Sequence, residues 1–179
     1  MSFYEKMGLK PLINASETYT NLGGSLMAEE TLDAMRQAGH GFVDMGKLMD
    51  AVCVRAATLT RNEAAFVTSG AAAGVILSAA SALCGLDESL HDQLPFAGDF
   101  PKNRILIFDG AYRRMIPYWR LIAMTGATIV PVAPTVEAML AAADEKCAAA
   151  FLFAGSLYEK DVPCCEDAIP KLKAAGLTV

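Results

Sequence analysis

Short apolar runs alternate with helical apolar patterns along most of this chain, and that rhythm restricts its fold more than any other feature. Residues 64–67, 104–108, 128–132 and 148–153 are apolar and short, bounded by charged or turn-forming residues, as strands are. Residues 71–84, 112–124, 136–143 and 165–174 carry apolar side chains at helical spacing, the last despite Pro170. Strand and helix in alternation predict an α/β fold: a mostly parallel sheet covered by helices on both faces, in three layers. Right-handed crossovers are expected, with ligands at the carboxyl ends of the strands. Residues 177–179 read as the start of one more strand, and 85–102, rich in Pro, Gly and Asp, as a loop.

Ahead of this alternation the pattern differs. Residues 1–27 read as an irregular or briefly extended arm, broken by Pro11, Gly23 and Gly24. A helix is expected over 28–38, opened by Glu29 and Glu30 and ended at Gly39 to Gly41. A second is expected over 44–59, where Met45, Leu48, Met49, Val52, Ala56 and Leu59 recur at helical spacing. The predicted organisation is therefore an arm, 1–27, followed by one α/β domain, 28–179.

A chain of 179 residues that is 54% hydrophobic can bury a real core, which argues against disorder. Its net charge of −5, with no Lys/Arg cluster, gives nucleic-acid binding little electrostatic support. The first residues lack the basic start and apolar centre of a signal peptide, and the most apolar run, 71–86, is short of a membrane span. A cytoplasmic protein without a membrane partner is expected. The five cysteines are odd in number and match no zinc spacing, so no metal is expected. Cys53 and Cys84 fall on apolar helical positions and read as core thiols. The adjacent Cys164 and Cys165, at a helix start, suggest no catalytic role.

The turn from 64–67 into the helix at 71 carries the chemistry. It reads Thr68-Ser69-Gly70-Ala71-Ala72-Ala73-Gly74. The first N–H groups of a helix have no carbonyl to bond, and together with the helix dipole they attract an anion. Small side chains let a phosphate approach the backbone, and Ser69 adds a hydroxyl donor. An ordinary turn with an N-cap has the same composition. Neither the Gly-Lys-Ser/Thr of a nucleotide P-loop nor a Gly-x-Gly-x-x-Gly fingerprint is present.

Longer stretches resemble a known family. Tyr4 to Ser16, Tyr19 to Ser25, Phe42 to Met45 and Leu59 to Gly74 are similar, in order and spacing, to the N-terminal region of the selenocysteine synthase-like family. These are enzymes of the aspartate aminotransferase fold that use pyridoxal 5'-phosphate (PLP), and they include seryl-tRNA selenium transferase and D-glucosaminate-6-phosphate ammonia-lyase. The resemblance is strong to about residue 85 and looser after it. It implies that the phosphate is that of PLP, cradled by Ser69, Gly70 and Ala71. It implies that Tyr112 stacks on the cofactor ring, where many relatives carry His; Gly110-Ala111 stands here in place of the family's usual Gly-His. Tyr112 also reads as a plain helix-start residue. The arm residues Asn14, Thr20, Gly23 and Ser25 become candidates for contacts to substrate or to a neighbouring chain, with turn formation as the alternative.

In the family, the Schiff-base lysine and the acidic partner of the pyridinium nitrogen are expected beyond Val179. None of Lys6, Lys10, Lys47, Lys102, Lys146, Lys160, Lys171 and Lys173 matches the family's position. The expectation is thus the N-terminal fragment of a PLP-dependent lyase or transferase of the ammonia-lyase or β-elimination type. Its substrate would be a small molecule, amino-acid-like or an amino-sugar acid, and the protein a homo-oligomer, dimer or higher. A seryl-tRNA selenium transferase-type enzyme is one alternative, which leaves tRNA open as a partner. A non-catalytic assembly partner or pseudoenzyme is another, and a nucleotide binder a third.

Overall fold

The computed structural model describes residues 2–16, 18–114, 116–155 and 159–179, and for 112–114, 116 and 117 only the backbone. It divides into two units, Met1–Arg55 and Ala56–Val179. Among the described residues no helix is long and apolar enough to cross a membrane.

The first unit holds a short helix, α1 (Phe3–Lys6), opened by a capping box. The Ser2 hydroxyl accepts from the Glu5 N–H while the Glu5 carboxylate accepts from the Ser2 N–H. A 3-10 turn, Thr20–Leu22, ends at Gly23, whose φ of 89° is the left-handed conformation that glycine adopts without strain. Next to it Tyr19 and Gly24 form an antiparallel bridge. The expected helices follow as α2 (Glu29–Ala38) and α3 (Met45–Thr60), the latter running past the division between the units. No described residue of this first unit is buried.

The second unit contains the sheet. β1 (Arg104–Phe108) lies between β2 (Thr128–Val132) and β3 (Cys147–Ala150), and both pairings are parallel. Arg104 pairs with Thr128 and Phe108 with Val132, while the pairing to β3 slips by one residue between Arg104 and Ile105. Both faces of β1 are covered, which is why it is apolar at every position after the first. Ile105 and Ile107 point to one side, into a core with Ala79 and Leu83 of α4 (Ala71–Cys84) and Trp119 and Ile122 of α7 (Ile116–Ala123). Leu106 and Phe108 point to the other, against Val136 and Met139 of α8 (Val136–Ala142) and Ala168 and Leu172 of α9 (Cys165–Ala174). This is the three-layer α/β arrangement that the alternating pattern predicts.

Several elements differ from expectation. Residues 64–67 pair with no strand among the described residues, and Phe66 and Val67 remain 67% and 44% exposed. A strand exists through the hydrogen bonds of a neighbour, and here none is alongside. Residues 177–179 are likewise no strand. A single backbone bond, from the Ala150 N–H to the Thr178 carbonyl (2.8 Å), ties them to β3, while Leu177 and Val179 pack against the second core. The expected strand over 148–153 starts at Cys147 and ends at Ala150. The segment 85–102 contains a short helix, α5 (Glu88–His91), capped by Asp87, and a 3-10 turn, Ala97–Asp99. The helix expected over 112–124 begins earlier, as α6 (Asp109–Arg114) directly after β1, followed by α7.

Candidate functional site

α4 runs opposite to the strands. Its last residues, Leu83 and Cys84, share a cavity of about 720 Å³ with Lys102 and Ala148, at the amino ends of β1 and β3. Near its start, Val75 belongs to the same core as Phe151 and Phe153, which follow the carboxyl end of β3. The N-terminus of α4 therefore lies at the carboxyl edge of the sheet, where open α/β sheets bind ligands.

The turn that delivers the chain to this position depends on Gly70, the N-cap of α4. Its φ of 149° and ψ of 173° belong to a region that glycine alone populates freely, and no side chain caps the helix. A Cβ added there would meet nothing within 4 Å, so backbone conformation and not crowding selects glycine. The first helical bond runs from the Gly74 N–H to the Gly70 carbonyl (3.0 Å). The N–H groups of Ala71, Ala72 and Ala73 precede it and have no carbonyl one turn back. Ser69, Gly70, Ala71 and Ala72 are all exposed, so nothing among the described residues blocks an approach to these donors. Three backbone N–H groups, a serine hydroxyl and the positive end of a 14-residue helix form a donor set suited to a phosphate.

Thr68 has a role in this turn that its residue type alone does not reveal. Its hydroxyl donates to the Gly70 carbonyl (2.9 Å) and faces the Gly70 N–H at 3.4 Å, so one side chain fastens the whole turn. A threonine two residues ahead of a glycine is the signal, and it is short enough to escape notice.

The remaining candidates fall in three places. Asp109, Gly110 and Ala111 open α6 at the carboxyl end of the central strand, which puts Tyr112 on that helix; its side chain lies outside the described residues. Thr20 and Gly23 share one turn, with the Gly23 N–H donating to the Thr20 carbonyl (3.0 Å). Asn14 accepts from the Ser16 N–H through Oδ1 (2.8 Å), and Asn14, Thr20, Gly23 and Ser25 are all exposed.

The cysteines divide as their surroundings dictate. Cys84 is buried, as read from the sequence, whereas Cys53 is only half-buried. Cys164 stands at the N-cap of α9 and its Sγ donates to Asp167 Oδ2 (3.2 Å). The Cys165 N–H donates to Glu159 Oε1 (2.7 Å), which holds the Glu159 carboxyl below its ordinary range. Burial, reinforced by Glu159, pushes the Cys165 thiol up to about 11. At neutral pH it is therefore a protonated core group and not a nucleophile.

Known proteins extend this picture. No family model matches the sequence. It is 31% identical over 140 residues to the 5'-C-glycyluridine monooxygenase-decarboxylase of a Streptomyces species, a match that covers 75% of this chain and 34% of that protein. It is 27% identical over 131 residues to the D-glucosaminate-6-phosphate ammonia lyase of Salmonella typhimurium, covering 73% of this chain and 36% of that one. A solved structure of D-glucosaminate-6-phosphate ammonia-lyase superposes with a TM-score of 0.87 at 26% identity, over 99% of this chain and 49% of the other. The matches thus span about a third of each curated relative and about half of the solved one. These similarities bear out the resemblance to the family of D-glucosaminate-6-phosphate ammonia lyase, of whose matched members the chain spans only a part.

Proposed function

We propose that this chain supplies the cofactor-phosphate cradle of a PLP-dependent lyase of the ammonia-lyase or β-elimination type. The observation that carries the reading is the turn at Gly70, which presents the N–H groups of Ala71, Ala72 and Ala73 and the Ser69 hydroxyl at the carboxyl edge of the sheet. These donors fit a dianionic phosphate without any lysine or arginine in the loop. Bound PLP supplies an electron sink for negative charge at the substrate α-carbon. The chain's own part would be to grip the phosphate end and so help orient the cofactor, with Tyr112 as the candidate stacking group.

All eight lysines are exposed and none falls within 68–75. On the family resemblance, we assign the lysine that would hold the cofactor and the acidic partner of the ring nitrogen outside these 179 residues. The names of both curated relatives contain an amino-acid unit, glucosaminate in one and glycyl in the other. They support a substrate with an amine beside a carboxylate. Asn14, Thr20, Gly23 and Ser25 are proposed to meet that substrate or a second copy of the chain in a homo-oligomer. The first unit, in which no described residue is buried, supports the second possibility.

The test is calorimetric titration of the full chain with pyridoxine 5'-phosphate, pyridoxine and inorganic phosphate. None of these carries an aldehyde, so exposed lysines do not contribute. Binding of pyridoxine 5'-phosphate and of phosphate, with none of pyridoxine, is expected. Heat from pyridoxine equal to that from its phosphate would remove the cradle from the proposal.

A further inference from the structure

We infer that Thr68 is a positioning residue for the cofactor phosphate, acting through the Gly70–Ala71 peptide and not by contact of its own. The inference rests on the proposed cradle. A trans peptide is planar, with its C=O and N–H pointing in opposite directions, so fixing one end aims the other. In this turn the Gly70 carbonyl is held by two donors, the Thr68 hydroxyl (2.9 Å) and the Gly74 N–H (3.0 Å). The Ala71 N–H, on the far end of the same peptide, is thereby aimed away from the helix, toward the space in front of it.

Glycine makes this hold necessary. At φ 149° and ψ 173° Gly70 sits where it is free to rotate, and a Cβ there would touch nothing within 4 Å, so neither side-chain sterics nor packing keeps the peptide in place. The Thr68 hydroxyl supplies the restraint. Its one proton is committed to the Gly70 carbonyl, and its acceptor side faces the Gly70 N–H at 3.4 Å, leaving it no free donor for an anion. A carbon at Gly74 would lie 3.7 Å from Thr68 Oγ1, so the hydroxyl also rests against the first turn of α4. Ser69 and Ala71 are left to face the ligand while Thr68 orders the backbone between them.

Three full-length proteins test this: the unmodified chain, Thr68→Ser and Thr68→Val. Each is titrated with pyridoxine 5'-phosphate and with inorganic phosphate by calorimetry. The ³¹P resonance of bound pyridoxine 5'-phosphate is recorded in parallel, and unfolding is followed without ligand. Thr68→Val keeps the shape and loses the hydroxyl; about tenfold weaker binding of both ligands is expected, the loss of roughly one hydrogen bond's worth of ordering, with a displaced ³¹P resonance. Thr68→Ser restores the hydroxyl and is expected to bind within about twofold of the unmodified chain. Unchanged affinity and resonance in Thr68→Val would overturn the inference while leaving the cradle intact. So would a loss that follows thermal stability and is not rescued by Thr68→Ser. Absence of phosphate binding in the unmodified chain would overturn the cradle and this inference together.

Discussion

A Cβ placed on Gly126 would stand 2.1 Å from the carbonyl oxygen of Pro95 and 2.6 Å from the backbone nitrogen of Ala97. Gly126 lies between α7 and β2, with φ +83°, and the segment carrying Pro95 and Ala97 lies directly against it. The atoms in the way are backbone, so they cannot swing aside as a long side chain would. Gly126→Ala should cost about 2–5 kcal/mol, combining left-handed strain with overpacking. Gly176→Ala is the control: φ is +86° but nothing lies within 4 Å, so about 1 kcal/mol of strain alone is expected. Urea unfolding midpoints of the two variants decide the matter, and equal losses would show that the contact with Pro95 carries no weight.

Gly70 presents the opposite case, an open position with a demanding backbone. Gly70→Ala should cost about 1–3 kcal/mol if the turn is kept, from conformational strain alone. If the turn relaxes instead, stability is largely kept and phosphate affinity falls. Unfolding curves paired with phosphate titration distinguish the two, and a variant that loses neither stability nor affinity would refute the role of the turn.

Trp119 is the only tryptophan and is 1% exposed, with its ring edge-on to Phe153 at 4.9 Å between centroids. Its fluorescence should be blue-shifted and shielded from acrylamide until the second unit unfolds. Phe153→Leu removes the ring contact and should cost about 0.5–1.5 kcal/mol beyond the lost area, with a changed emission spectrum. Quenching of the native protein as efficient as that of free tryptophan would show the first core to be open.

The Cys165 thiol gives stability a definite dependence on pH. A free cysteine ionises around its ordinary value of 9.0, whereas burial and then Glu159 hold this one at about 11. Below pH 9.0 both folded and unfolded chains keep the proton, and the contribution is fully present. Between 9.0 and about 11 the unfolded chain releases a proton that the folded chain retains, so stability falls as pH rises through that window. Cys165→Ala should flatten this decline relative to the unmodified chain, since every other titrating group is shared. Identical slopes for the two proteins in alkaline urea titrations would contradict the burial of the thiol.

What could be read ahead of the structure was local. α4, β1, β2 and α9 occur with the limits that their apolar patterns set, because a helix face or a strand buried on both sides is written in neighbouring residues. The turn at Ser69 and Gly70 was legible for the same reason: small residues between an apolar run and an Ala-rich helix leave few other conformations. Asp109 to Ala111 were harder to assign, since α6 begins without a break after β1. Thr68 passed unnoticed because its partners are backbone atoms of Gly70, whose positions no residue pattern encodes.

The alternation of strands and helices over 71–174, the limits of α4, β1, β2 and α9 and the small-residue turn into α4 thus belonged to the sequence itself. They rest on propensity, periodicity and capping, forces that act within a few residues. Tertiary structure alone decided that residues 64–67 and 177–179 do not pair as strands, because a strand needs hydrogen bonds from a segment distant in the chain. It alone decided that Gly126 must be glycine, since Pro95 and Ala97 reach it only when the chain is folded. And it alone set the thiol of Cys165 beside Glu159 in a buried place, where the cost of charge is fixed by everything packed around it.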